Sequence, residues 1–596
     1  MTRTMTDIAR MTRTACTARR LRTTRRMRVE STLLMATTVV LAGCRSTPTV
    51  EPADLVLRNG TIVTLDAALP AATALAARDG IIVSLGSDAD IEAYVGPRTR
   101  VVDLEGQLAV PGLIEGHGHY MGYGASLMEL DLRNAPTWDA IVEQVEAAAA
   151  GAPPGAWIVG RGWHQDKWER RPEPNVEGLP LHATLSAVSP ENPVFLSHTS
   201  GHGVFVNARA LDAAGITRTT PDPPGGAIVR DADGNAIGML RENAADPARE
   251  ALASYRANRP AEAIEAELRQ HVRLAGAAAV ANGITSFQDM GTSFETLDLL
   301  RTMADEGDLP IRLYMSIEES AGDMEGRLAD YRMIGRGNGF LTVRTIGEKV
   351  LDGALGTHGG WMLEPYTDLP RSVGFNVTPV DDIRRSAELA IAHDYQMAIQ
   401  GIGDRAVREL LDIYEAAFAA ANGMGDFRWR IEHAQVVHPD DLPRFASLGV
   451  IPGVQGIFAC SDGPWVVDRL GPERARERGY LFKSMLDSGA VVMNGTDPPV
   501  EEIDPIASFD CSVTRRLPDG SFFFPEQRLT RLQALESYTI NNAFAAFEED
   551  LKGSLTPGKL ADVTVLSKNL LTIPDDEIRS TEVVYTIIGG KVVFER

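Results

Sequence analysis

Cysteine is scarce in this chain. Cys16 and Cys44 lie near the amino terminus, which leaves only Cys460 and Cys511 for the folded body. A single pair, 51 positions apart, matches neither the dense cysteine pattern of a disulfide-stabilised scaffold nor a C-x-x-C zinc motif. We therefore expect no disulfide framework, no cysteine-based metal site and no redox chemistry.

Positive charge is scarce outside the amino-terminal segment. The formal net charge of the chain is −23. The first 43 residues carry nine arginines against Asp7 and Glu30, a net charge of +7, so the remainder carries −30. Because so acidic a body repels phosphate backbones, we expect no nucleic-acid partner.

Long hydrophobic runs are also missing. The apolar stretch in "STLLMATTVVLAGC" covers about 13 residues, too few to span a bilayer as a helix. It follows Arg-rich sequence, as in a secretory signal peptide, and ends in Leu41-Ala42-Gly43-Cys44, which resembles a bacterial lipobox. We predict a lipoprotein signal peptide over residues 1–43 and acylation of Cys44, which would anchor the protein to a membrane.

Two features of this leader leave alternatives open. The Cys could be incidental to a plain secretory signal, and Met27 could be the true start. Because Arg45 rather than Asp follows the Cys, the expected location, by analogy with bacterial lipoproteins, is the periplasmic face of the outer membrane.

Both ends of the mature chain have the pattern of short β-strands. After a linker at 44–53, "DLVLRNGTIVTLD" alternates and turns at Asn59-Gly60, which predicts a hairpin. Similar sequence returns in "ADVTVLS" and "VVYTIIGGKVVFE". We predict a small β-sandwich domain built from residues 54–110 and 546–596.

The middle of the chain, residues 111–545, alternates between short apolar runs and helical patterns. With 596 residues, more than one folding unit is expected. Eight strand candidates occur, in "LAVPGLIEG", "GITSFQD", "IRLYMSI", "LTVRTIGEKV", "QMAIQGIG", "RWRIEHAQ", "GVIPGVQGIF" and "AVVMNGTD". This alternation predicts an α/β fold, a (β/α)₈ barrel. A Trp-rich insertion at about 134–262, after the first strand, is expected to cover the barrel mouth.

Side chains that could bind a metal or take part in catalysis stand at the ends of several of these predicted strands. In "LIEGHGHY" His117 and His119 are two positions apart, so on a strand both rings would face one side. An H-x-H pair alone is weak evidence for a metal, but further candidates stand at other strand ends: Lys349, Gln400, His433 and Asp497. Active sites of such barrels gather at the carboxyl ends of the strands.

With these motifs the sequence resembles the amidohydrolase superfamily, in its N-substituted-formamide-deformylase-like branch. The resemblance covers nearly the whole mature chain. It rests on "VPGLIEGHGH", "GRGWHQDKW", "SGHGVFVNARAL", "KVLDGALG", "GIGDRAV", "RIEHAQ", "NGTDPPVEEIDP" and "GSLTPGKLADVTVL". It implies a metal-binding barrel, one or two divalent cations, commonly Zn²⁺, and hydrolysis of an amide-type C–N bond in a small-molecule substrate.

The resemblance also implies residue roles. His117 and His119 would bind the first cation, and Asp497 would complete that site and act as general acid and base. Lys349 would be carboxylated so that it can bridge two cations, and His433 would be the strand-six ligand. His202, with Trp163 as a further candidate, would contact substrate from the insertion; His198 and His164 are weaker candidates of the same kind.

The chain departs from the family pattern at two positions. Gln400 stands where a strand-five histidine ligand is expected, and an amide oxygen is a weak zinc ligand, so a single tightly bound cation is predicted. His358, in the loop after Lys349, is a candidate to replace the missing strand-five histidine in space. After strand seven, Gln455-Gly456-Ile457-Phe458 lacks the usual histidine, which leaves substrate specificity open.

Two other functions compete with amide hydrolysis. A lactone or ester hydrolase would use the same attack by activated water. A binding protein that keeps the barrel without turnover is favoured by the missing ligand at Gln400. Oligomeric state and substrate identity cannot be derived from the sequence.

Overall fold

The computed structural model describes residues 50–421, 423 and 425–596. The predicted signal peptide and Cys44 lie outside these residues. Within them, no helix combines the length and the apolar character that a membrane crossing requires.

Eight parallel strands form a nearly closed barrel, which confirms the predicted fold class. Most of their residues are buried on both faces, as expected for parallel strands covered by helices. In chain order the strands are β1 (Leu113–Gly118), β2 (Ile284–Thr292), β3 (Arg312–Ile317), β4 (Leu341–Val350), β5 (Gln396–Gly401), β6 (Arg430–His433), β7 (Ile451–Gln455) and β8 (Met493–Gly495).

Helices connect the strands and pack outside them. The longer ones are Ala261–Ala281, Phe294–Glu306, Val380–His393, Asp404–Ala420 and Pro505–Thr514. Shorter ones include Tyr120–Ser126, Ala321–Met324, Leu328–Tyr331, Leu442–Leu448, Phe458–Ser461, Gly463–Leu470, Pro472–Arg478, Phe482–Asp487, Arg531–Ser537 and Ile540–Ala545. The segments with helical periodicity after β4 and β5 are helices.

Two small sheets share one hydrophobic core beside the barrel. One contains Leu55–Arg58, Ala74–Arg78, Ile81–Gly86 and Arg100–Asp103. The other draws on both ends of the chain, with Thr61–Val63, Ala71–Ala72, Leu108–Pro111, Val563–Leu566, Val583–Ile588 and Lys591–Glu595.

The hairpin predicted at Asn59-Gly60 is wrong. The strands on either side of this turn belong to different sheets, so the turn carries the chain from one sheet to the other. Asn59 adopts a left-handed conformation, and a Cβ on Gly60 would lie 2.5 Å from the side chain of Leu104. The turn residues suit the tight crossover as well as they suit a hairpin, which is why the pattern alone misleads.

The segment between β1 and β2 contains a sheet of its own with two hydrophobic clusters. Its six strands are Leu130–Asp131, Ile158–Trp163, Val194–His198, Gly203–Val206, Gly226–Arg230 and Ala236–Glu242. Its helices include Trp138–Gly151, Ala183–Val188, Ala208–Ala213 and Asp246–Ala257. Thr199 Oγ1 donates to the carbonyl of Val500 at 2.8 Å, which attaches this sheet to the loop after β8.

Cys460 and Cys511 form a disulfide bond with a Cα–Cα distance of 6.0 Å. This corrects the expectation that the two cysteines form no disulfide framework. The segment between them contains β8, so their helices follow neighbouring strands and lie side by side. Their proximity is a property of the barrel and is invisible in the spacing.

Candidate metal centre

His117 and His119 stand at the carboxyl end of β1, where β1 meets β8. The Nε2 atoms of His117 and His119 lie 3.6 and 3.4 Å from Oδ1 of Asp497. Asp497 follows β8 in a left-handed conformation, and its backbone N–H donates to the carbonyl of His117 at 2.9 Å. This backbone bond brings the carboxylate of the eighth strand next to the histidines of the first.

Two more groups reach the same point from β4 and β6. Glu348 Oε2 lies 3.7 Å from His117 Nε2 and 4.0 Å from His119 Nε2. His433 Nε2 lies 3.3 Å from Glu348 Oε1. Four predicted ligands therefore meet at this point: His117, His119, His433 and Asp497. Glu348 is a fifth residue of the cluster that the sequence analysis did not predict.

The geometry of these groups fits a cation better than a hydrogen-bond network. Two overlapping triads, His117 with His433 and Asp497, and His117 with His119 and Glu348, each bring their ligand atoms within 4.8 Å of one another. Ligands 2.0–2.1 Å from a tetrahedral zinc lie roughly 3.3 Å apart. His117 Nε2, Glu348 Oε1 and Asp497 Oδ1 are buried and make no hydrogen bond to the described residues. Buried polar atoms rarely lack a partner, so these three atoms are suited to bind a cation.

A second layer of residues orients the imidazoles. His117 Nδ1 lies 2.7 Å from Glu432 Oε2, and His433 Nδ1 lies 2.7 Å from the side-chain oxygen of Gln455. With a carboxylate and an amide oxygen as acceptors, each Nδ1 is the protonated nitrogen. Each Nε2 therefore directs a lone pair at the cluster, as metal-binding histidines do.

The electrostatic field at this point favours positive charge. Burial opposes a charged imidazole, but the carboxylates of Asp497 and Glu348 raise the pKa of His119 to about 9. Burial likewise opposes ionisation of Asp497, but His117 and His119 lower its pKa to about 2. The carboxylates that favour positive charge on the His119 ring would also stabilise a divalent cation.

Lys349 does not join the cluster, which corrects its prediction as a carboxylated metal ligand. Its ammonium group donates to the carboxylate of Asp382 and, at 2.9 Å, to Ser386 Oγ, both on the helix after β4. Neighbouring residues on a strand point in opposite directions. The side chain of β4 that faces the histidines is therefore that of Glu348, and an ion-paired ammonium cannot bind a cation.

Gln400 and His358 do not replace a strand-five histidine. Gln400 Nε2 donates to the carbonyl of Asp352 at 2.5 Å and contacts His202 Nε2 at 3.2 Å. His358 Nε2 lies 3.1 Å from Asp368 and lines a separate cavity. Of the two, only Gln400 borders the metal centre, as a wall residue.

Of the two residues predicted to contact substrate, His202 and Trp163, only His202 lines a cavity beside the cluster. His202 lines the cavities beside the cluster, and its Nδ1 lies 2.8 Å from Glu242 Oε2. Trp163 is fully buried in the core of the insertion, donates from Nε1 to the carbonyl of Leu196 and stacks on Trp168. The prediction for Trp163 is corrected, because its ring packs in the core of the insertion and lines neither cavity beside the cluster.

Two cavities adjoin the cluster. An outer one of about 940 Å³ is bordered by His119, Glu348 and Gln400, with Arg161 and His202 from the insertion. An inner one of about 70 Å³ is lined on the barrel side by metal-centre residues and by Phe458 and on the other side by the insertion. Phe458, in the segment that lacks the usual histidine, stacks parallel to the ring of His433 at 6.1 Å.

The chain is similar to several known proteins over most of its length. It is 34% identical to Protein LONG AFTER FAR-RED 3 of Arabidopsis thaliana, with 91% of this chain and 92% of that protein covered. It is 27% identical to an N-substituted formamide deformylase of Arthrobacter pascens, covering 91% and 98%. Among solved structures, an uncharacterized metal-dependent hydrolase from Pyrococcus horikoshii superposes with a TM-score of 0.68 at 27% identity, covering 88% of this chain and 99% of that one.

The similarity to the deformylase and to the Pyrococcus hydrolase supports a metal-dependent hydrolase, and the ligand cluster at the strand ends is consistent with it. The family described as the amidohydrolase family matches residues 100–594. The chain belongs to this amidohydrolase family.

Proposed function

We propose that this protein is a metal-dependent hydrolase that cleaves the amide-type C–N bond of an N-acyl or N-formyl amide. The observation that carries the proposal is a set of three buried ligand atoms, on His117, Glu348 and Asp497, that have no hydrogen-bond partner among the described residues. His119 and His433 complete the residues that would hold the cation. Similarity to a relative named as a formamide deformylase supports the choice of amides.

A bound divalent cation supplies Lewis acidity, which activates water and polarises the amide carbonyl. Asp497 is placed to move the proton. Its Oδ1 faces His117 and His119 and makes no hydrogen bond within the described part of the chain, so it can accept a proton from the attacking water. The same carboxyl group can then return the proton to the departing nitrogen, which otherwise leaves poorly.

We propose one tightly bound cation, zinc, because nitrogen and carboxylate donors suit this metal. Both candidate triads share His117 Nε2, and one nitrogen lone pair binds one cation. The other nitrogen of His117 is committed to Glu432. Gln400 is hydrogen-bonded to Asp352 and adds no imidazole.

Metal content and turnover test this function together. Purified protein should contain about one equivalent of zinc per chain, and a chelator should remove activity that zinc restores. A screen of formamides, N-acyl amino acids and lactones should detect hydrolysis of the amides. Turnover of lactones alone would establish the ester-hydrolase alternative, metal without any turnover would favour a binding protein, and two equivalents of metal would overturn the one-cation proposal.

We also propose that the protein is exported and anchored through an acylated Cys44. The support is the short apolar stretch that ends directly at Leu41-Ala42-Gly43-Cys44. Cys44→Ala should move the protein out of the membrane fraction, with Cys16→Ala as the matched control. Recovery of the wild-type protein in the soluble fraction would contradict the anchor.

A further inference from the structure

His164 and His198, both on the insertion, line the inner cavity that also contains His119, His433 and Asp497. Their ring centroids are 4.7 Å apart. Both are buried, with 5% and 0% of their surfaces exposed. Neither belongs to the candidate metal triads, so the metal centre does not account for them.

The hydrogen bonds of His198 determine which of its ring nitrogens carries the proton. The backbone N–H of Ser200 donates to His198 Nδ1 at 3.2 Å, so this nitrogen is an acceptor. Ser200 Oγ lies 2.8 Å from the same nitrogen and itself accepts the N–H of His202. The neutral ring must therefore carry its proton on Nε2, and this buried atom has no hydrogen-bond partner among the described residues.

His164 is arranged in the same way. The backbone N–H of Asp166 donates to His164 Nδ1 at 3.1 Å, which again leaves the proton on Nε2. The space in front of that atom is kept open by Gly356. A Cβ at Gly356 would lie 3.1 Å from His164 Nε2 and 3.6 Å from His198 Cε1.

Burial favours the neutral form of both rings. Burial, with the nearby charge of Lys167, holds the pKa of His198 well below its usual value, and burial with neighbouring His198 does the same for His164. The cations around the cavity have their own partners: Lys167 lies 3.6 Å from Glu501, and Arg469 is paired with Asp166 at 2.6 Å. On its insertion side the inner cavity therefore offers neutral N–H donors, and the described cations nearest to these donors, Lys167 and Arg469, are already ion-paired.

We propose that the Nε2–H groups of His198 and His164 bind a second, uncharged carbonyl oxygen of the substrate and so determine its specificity. This inference rests on the proposed amide hydrolysis and narrows its substrate class to amides with a further neutral carbonyl near the scissile bond. A site built around buried donors discriminates strongly against analogues that leave those donors unpaired.

Three matched amides test this specificity. N-acetylglycinamide has the second neutral carbonyl, N-propylacetamide lacks it, and N-acetylglycine replaces it with a carboxylate. We expect the lowest KM for N-acetylglycinamide. His198→Phe, which keeps a ring but removes the donor, should raise that KM roughly threefold to tenfold and leave N-propylacetamide unchanged.

Two further variants separate recognition from structure. His198→Gln keeps an N–H donor and should recover part of the affinity, whereas His182→Phe, on the insertion but outside the cavity lining, should have no effect. Equal KM changes for N-acetylglycinamide and N-propylacetamide would overturn the proposal, as would tighter binding of N-acetylglycine.

A readout without turnover keeps this inference distinct from the proposed function. Nitrogen-15 NMR of histidine-labelled protein should show His164 and His198 as neutral Nε2–H tautomers at pH 7. Titration with N-acetylglycinamide should shift both Nε2 resonances, and titration with N-propylacetamide should not. If no amide is hydrolysed, the proposed hydrolase function is refuted, but the NMR shifts still test whether His164 and His198 bind a carbonyl oxygen. An Nδ1–H tautomer, or resonances that N-acetylglycinamide does not shift, would overturn the inference.

Discussion

The metal centre and the wall of the inner cavity use the same side chain in opposite ways. His117 and His433, on barrel strands, have Nδ1 partners that accept hydrogen bonds, so Nε2 presents a lone pair. His198 and His164, on the insertion, have Nδ1 partners that donate, so Nε2 presents a proton. The partner of the far nitrogen thus decides whether a histidine is suited to bind a cation or a carbonyl oxygen.

The largest effect is expected for the proton carrier. Asp497→Asn keeps the shape of the side chain but removes its basicity, so kcat should fall about 10²- to 10⁴-fold. The metal content should fall less than the activity, because an amide oxygen can still contact the cation weakly. Full activity in this variant would contradict the role of Asp497, and metal analysis of the same sample provides the internal control.

The next largest effect is expected for Glu348, and its neighbour on β4, Lys349, serves as the control. Glu348→Gln removes a carboxylate that faces His117 and His433, so zinc affinity and activity should both fall by at least about tenfold. Lys349→Met removes an ammonium paired with Asp382 and should leave zinc content unchanged. Zinc titration of the two purified variants checks this, and the reverse order of effects would restore Lys349 as the ligand.

A smaller effect is expected for Gln455, which contacts a proposed cation ligand and not the cation itself. Gln455→Met removes the acceptor that orients His433 while keeping a similar volume. Zinc affinity should fall roughly 10- to 100-fold, as when other outer-shell partners of metal ligands are lost. Competition with a chelator measures the change, and unfolding midpoints of wild type and variant show whether the fold is intact; an unchanged affinity would mean that His433 is not a ligand.

The smallest effect is expected at Ser200. Ser200→Ala removes the Oγ contact to His198, but the backbone N–H still donates to Nδ1 and keeps the proton on Nε2. The KM for N-acetylglycinamide should therefore rise less than about threefold. A change as large as that of His198→Phe would show that the hydroxyl, rather than the backbone, sets the tautomer.

Most of the barrel was predictable because its signals are local. Each strand is a short buried apolar run followed by a helical pattern, and residues at strand ends meet at one face of a (β/α)₈ barrel. For this reason the sequence was sufficient to bring His117, His119, His433 and Asp497 together. Glu348 could have been identified as a ligand, because it is an acidic residue directly before Lys349 in "GEKV". The family resemblance, which includes a lysine ligand, pointed to Lys349 instead.

The sequence by itself determined the strand order and the presence of the insertion, since these follow from the alternation of apolar runs and helical patterns along the chain. It also determined the donor types at the strand ends, since these are residue identities. Only the tertiary structure decided which of Glu348 and Lys349 faces the cluster, because that depends on the twist and register of β4 against its neighbours. It alone paired Cys460 with Cys511 and assigned the strands around Asn59-Gly60 to different sheets. It also fixed the proton on each histidine, since the deciding hydrogen-bond partner is a matter of three-dimensional position.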